Sequence, residues 1–75
     1  MTDLTRLQTG AHARVIQISG DKRYLSRITS IGMNIGSRVE MLQNEKKRPL
    51  LVYSRDTMIA LNRQEARNIK VEEEQ

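Results

Sequence analysis

The longest uninterrupted apolar runs in this chain are only four residues, Leu50–Tyr53 and Met58–Leu61, separated by Ser54-Arg55-Asp56 and Thr57. Runs of that length bounded by turn residues are strand-sized, far short of the roughly 20 residues that span a bilayer. Leu50–Tyr53 and Thr57–Leu61 therefore read as a tight antiparallel hairpin, and the remainder of the chain has to supply its partners. With 75 residues, that remainder is small. A domain of this size buries only about 60% of its unfolded surface, so one domain over 1–75 without an enclosed active site is expected.

The other elements follow from local pattern. Leu4 and Leu7 precede Gly10 as a docked lead-in over residues 3–9. Ala11–Ile18 is rich in β-branched residues, and its alternation changes phase at Ile16, which predicts a strand with a bulge at that point. Ser19-Gly20-Asp21 is a turn whose aspartate can cap a helix over residues 22–31, because Tyr24, Leu25, Ile28 and Ile31 form one apolar stripe. Gly32 stands where a left-handed residue ends a helix, and Gly36 where a turn precedes a strand from Ser37 to about Gln43. Glu45–Pro49 reads as a solvated loop. Asn62 and Glu65 have capping-box spacing, predicting a helical turn over 63–67, and Ile69 and Val71 alternate in a last strand.

Together these elements predict a mostly β fold: a small, mostly antiparallel β-barrel of about five strands with one short α-helix, because closure removes sheet edges. Leu25, Ile28, Ile31, Val39, Val52 and Ile59 hold the inward phases and are the expected core. Residues 72–75, Glu-Glu-Glu-Gln, read as an acidic disordered tail.

The chemistry on offer is sparse. There is no cysteine and one histidine, and the acidic residues are scattered or gathered at the end. Thiolate metal sites, disulfides and thiol nucleophiles are excluded, and no general acid and base are paired in the sequence, so no catalytic residue is expected. A reducing, cytoplasmic compartment suits a cysteine-free chain. The opening residues lack the basic start and apolar stretch of a secretory signal. His12 is a weak candidate metal ligand without evident partners, and the glutamates could attract a divalent transition metal weakly through oxygen.

Net charge is +4, yet three of the nine acidic residues are Glu72–Glu74, so residues 1–71 carry 13 basic against 6 acidic side chains, +7. A basic body suits nucleic acid, an anionic membrane or an acidic protein face. Nucleic acid is disfavoured: Tyr24 and Tyr53 are the only aromatic residues, too few for a base-stacking platform, and no recognition helix appears. Arg23 and Arg27 share a helix face and Lys46-Lys47-Arg48 forms a second cluster. With Met33 read as exposed beside them, these residues are the candidate protein-docking surface; a merely solvated face is the plainer alternative. Self-association through a strand edge is a further alternative.

The motifs in combination resemble the ferrous iron transport protein A (FeoA) family from Leu4 to Val71. The resemblance rests on Leu4-x-x-Leu7-x-x-Gly10-x-x-Ala13, on Ser26-Arg27-Ile28-x-x-Ile31-Gly32-Met33-x-x-Gly36, and on Ile59-Ala60-Leu61 with Glu65-Ala66-x-x-Ile69-x-Val71. The chain departs from the family at Ile35, where proline is usual, at Asp56, where glycine is frequent, and in an Asn44–Arg48 loop that is not proline-rich. The resemblance implies an SH3-like domain in the cytoplasm, peripheral at the inner membrane face through its partner. That partner is a ferrous iron permease carrying a GTP-binding domain, and the chain serves it as a non-enzymatic accessory protein. Similar barrels in iron-dependent repressors use carboxylates as metal ligands, so a transition-metal-responsive or nucleic-acid-binding adaptor is the alternative reading.

Overall fold

The computed structural model describes residues 2–74. Its elements are β1 (Thr2–Asp3), a 3₁₀ turn (Leu4–Arg6), β2 (His12–Ile18), α1 (Lys22–Ser30), β3 (Arg38–Gln43), β4 (Leu50–Ser54), β5 (Thr57–Leu61), α2 (Arg63–Ala66) and β6 (Ile69–Glu74). The strands form one antiparallel sheet in the order β1-β6-β2-β3-β4-β5. The fold is mostly β, as the sequence predicts, with two differences. A short first strand raises the number to six among the described residues, and no ladder joins β5 back to β1, so the sheet curls around the core without closing.

Local chemistry sets the boundaries. Asp21 caps α1 by accepting the Tyr24 N–H at 2.8 Å, and the predicted bulge in β2 falls between Val15 and Gln17. At the helix end Gly32 has φ 101°. Its N–H donates to Thr29 O at 3.0 Å, and the Met33 N–H donates to Ile28 O at 3.1 Å. These two bonds are the Schellman pair, which brings the residue after the left-handed glycine onto the last apolar turn of the helix. Asn62 and Glu65 form the reciprocal capping box of α2.

The core contains Ile28, Val39, Val52 and Ile59, as expected, with Leu4, Leu7, Met33, Met41, Leu50, Leu61, Ile69 and Val71. Ile31 packs against it half-buried. Leu25 does not join the core: at 100° per residue it lies roughly a quarter turn from the centre of the Tyr24, Ile28 and Ile31 stripe. The acidic end is likewise not a disordered tail through Glu74. Glu72, Glu73 and Glu74 pair in register with Arg14, Ala13 and His12 of β2, and Glu74 forms ion pairs with Arg14 and Arg38. Gln75, the last residue of that expected tail, lies outside the described residues.

Candidate functional site

Three short segments converge around α2. Asn44, at the end of β3, is held from three sides: its Nδ2 donates to Thr5 O at 2.8 Å and Leu7 O at 2.7 Å, and its Oδ1 accepts from Arg63 Nη2 at 2.8 Å. Arg63 also donates through Nη1 to Glu45 O at 3.1 Å. The first turn of α2 thus grips the β3–β4 loop. Two residues on, Glu65 forms an ion pair with Arg27 of α1, and its carbonyl accepts the Tyr24 hydroxyl at 2.5 Å.

The docking residues read from the sequence fall on either side of this clamp. Arg23 is exposed on α1, and Lys46, Lys47 and Arg48 are exposed on the loop; Lys47 takes φ 64° at its tip. A shallow hollow of about 290 Å³ lies between loop and α2, lined by Lys47, Arg48, Pro49, Asn62 and Arg63. Arg27 remains half-exposed but is engaged by Glu65, and Arg48 lies 3.5 Å from Glu45. The exposed Arg48–Glu45 pair contributes little to stability, so Arg48 is available to a partner's carboxylates at small cost, whereas Arg27 is held by Glu65, whose side chain is only 11% exposed.

Met33 is corrected. It is fully buried, drawn under the helix by the Schellman geometry that sets it against Ile28, and cannot be part of a surface. The apolar residue that does project beside it is Ile35, 69% exposed. Sequence reasoning also missed Arg63, because its partners Asn44 and Glu45 lie 19 and 18 residues earlier and nothing local to α2 marks it.

His12 lies elsewhere, on the outward face of the sheet. Its Nε2 is 3.6 Å from Glu40 Oε1, and the register puts Glu74 on its other side. Glu74 is drawn instead to Arg14, at 3.2 Å, and Arg38, at 3.7 Å. Among the described residues no group of three or more His, Cys, Asp or Glu is placed to hold a metal ion. His12 and Glu40 together could offer two ligands. They line one end of a groove of about 410 Å³ shared with Arg38, Tyr53, Arg55 and Asp56. The Tyr53 hydroxyl donates to Asp56 Oδ1 at 2.9 Å, and that bond to a carboxylate, with the carboxylate's charge, raises the Tyr53 pKa.

An antiparallel sheet wrapped on one small core, with a single capped helix between its second and third strands, defines a small SH3-like domain. Residues 2–73 match the sequence model of the FeoA domain, and the chain belongs to the FeoA family. The fold is similar to the crystal structure of an iron uptake regulatory protein (FeoA), at TM-score 0.86 and 19% identity over 96% of this chain and 95% of that one. It is also similar to Stenotrophomonas maltophilia FeoA complexed with zinc, a prokaryotic SH3 domain protein, at TM-score 0.77 and 25% identity over 96% and 91%. A manganese-dependent transcriptional repressor in complex with manganese contains a similar unit, at TM-score 0.87 and 24% identity over 95% of this chain but 35% of the repressor. Comparison with curated proteins finds no match. Among the described residues no helix is long and apolar enough to cross a membrane.

Proposed function

We propose that this protein is a non-enzymatic accessory component of ferrous iron uptake that acts in the cytoplasm by docking on the iron permease or its GTP-binding domain. The observation that carries this reading is the family match over residues 2–73. The similarity to an iron uptake regulatory protein and to an FeoA described as a possible ferrous iron transport activating factor supports it. The docking surface is the basic pair of flanks about α2: Arg23 and Arg27 on one side, Lys46, Lys47 and Arg48 on the other. Acidic side chains on the permease's cytoplasmic portion would complement it, and this contact would hold the protein at the inner membrane face.

The test is charge reversal at Arg23, Lys46 and Lys47 together. Arg27 is left in place because its loss would free buried Glu65 and confuse docking with folding. The folded triple variant should lose pull-down of the permease and reduce iron uptake in cells. Unchanged pull-down and uptake would sink the proposed surface. A metal-responsive adaptor is the second reading, favoured by the zinc and manganese complexes of two similar structures.

A further inference from the structure

β5 ends one side of the sheet, and among the described residues no strand pairs with its outer side. The hairpin that makes β5 turns through Arg55 and Asp56, both at positive φ, 53° and 60°. A two-residue turn of that kind makes Ser54 and Thr57 a hydrogen-bonded pair, after which bonded and non-bonded pairs alternate. The N–H and C=O groups of Thr57, Ile59 and Leu61 therefore face β4, and those of Met58 and Ala60 face outward. Among the described residues no other segment's backbone bonds to Met58 or Ala60.

Nothing on this edge discourages another strand. Its ladder with β4 runs from Leu50↔Leu61 to Ser54↔Thr57 without a bulge, and Thr57–Leu61 contains no charge and no proline, the usual protections of an open edge. The outward side chains are apolar too. Met58 is 62% exposed and pairs with Tyr53, itself 40% exposed; exposed Ala60 pairs with Leu51.

We propose that a second copy of this chain adds to β5 in antiparallel pairing, with Ile59 on the two-fold axis. In that register Met58 stands opposite Ala60 of the partner subunit, and Ala60 opposite the partner's Met58, so all four outward backbone groups of each copy are bonded. A large side chain meets a small one at both positions, and each copy's Tyr53–Met58 pair continues onto the other's Ala60–Leu51 pair as one apolar band. The neutral edge is also where two copies of a chain of net charge +4 can meet without opposing like charges. An isologous contact of this kind closes on itself as a dimer. It is independent of the role in iron uptake.

Sedimentation velocity on the full chain tests the pairing. The parent should pass from monomer toward dimer between about 10 μM and 1 mM, the range of a small two-strand contact. Met58→Lys with Ala60→Lys sets like charges directly opposite at both pairs and should raise the dissociation constant about tenfold or more. Met58→Glu with Ala60→Lys sets opposite charges there and should return it to within about threefold of the parent's at low salt, with the gain lost in high salt. Ala60→Pro removes an outward N–H that β4 does not use, and should weaken the dimer should the lysine pair prevent folding. A parent that stays monomeric to about 1 mM overturns the proposal and leaves the edge to a foreign strand. Undiminished association of the double-lysine or proline variant, or failure of the Glu/Lys variant to recover, overturns the interface or its register.

Discussion

The Tyr24 hydroxyl donates to the main-chain carbonyl of Glu65 at 2.5 Å, joining α1 to α2 across 41 residues of sequence. Burial raises the Tyr24 pKa above its ordinary value of 10.0, and nearby Arg27 opposes that shift. The folded protein therefore holds this proton more tightly than the unfolded chain. The resulting stability is complete below pH 10 and is lost as pH rises from there through the folded pKa. Tyr24→Phe should lower stability by about 0.5–1.5 kcal/mol at neutral pH and flatten the alkaline fall, read as denaturant midpoints across a pH series.

Met33 and Ile35 should respond oppositely to truncation. Met33→Ala empties a fully buried position and should cost about 2–5 kcal/mol, as large-to-small core substitutions do. Ile35→Ala, at a site 69% exposed, should stay within about 0.5 kcal/mol of the parent. Equal thermal midpoints for the two variants would show that Met33 is not beneath the helix.

Gly32→Ala tests the helix terminus by itself. A Cβ at this position meets no atom within 4 Å, so space is not at issue and the cost is that of φ 101° alone. About 1–2 kcal/mol of destabilisation is expected from a side chain in that region, and Gly32→Asn should lose less, since asparagine tolerates left-handed backbone.

Removing residues 72–75 separates a strand from a tail. Glu72–Glu74 pair with β2, and Glu74 reaches both Arg14 and Arg38, so the truncated protein should melt several degrees lower. Its loss should be greatest at low salt, where the exposed ion pairs count most. An unchanged melting temperature would restore the tail.

Isothermal titration with ferrous iron under anaerobic conditions should give a dissociation constant above about 1 μM, since two ligands from His12 and Glu40 make an incomplete site. His12→Ala should abolish whatever saturable heat the parent shows. Tighter one-to-one binding that survives the substitution would place the metal elsewhere and favour the metal-responsive reading.

Much of this architecture was written locally. The Asp21 cap, the bulge after Val15, the hairpin between Leu50 and Leu61 and the Asn62–Glu65 box each depend on neighbours within a few residues, so spacing alone reveals them. What escaped depends on distant partners. Glu72–Glu74 looked like tail because their strand pairing comes from His12, Ala13 and Arg14, some 60 residues earlier. The grip of Arg63 on the loop is set by Asn44 and Glu45, and no periodicity in α2 could announce it. Met33 is the instructive middle case, for its burial was implied by Gly32 and Ile28, both already recognised as helix-ending and apolar. The cations of the proposed docking surface were legible as charge, but their arrangement around α2 was not.

Thr2 of β1 lies opposite Val71 of β6, and β6 runs on only to Glu74, so the first and last described residues lie on neighbouring strands within a few residues of each other. A unit with that geometry behaves like a bead on a closed loop of thread: a host chain can detour through it and resume almost where it left, with little loop-closure entropy and no need to stretch. The same property suits it to travel as a spare part among larger proteins, and the manganese-dependent repressor, about a third of which matches this chain, carries such a part.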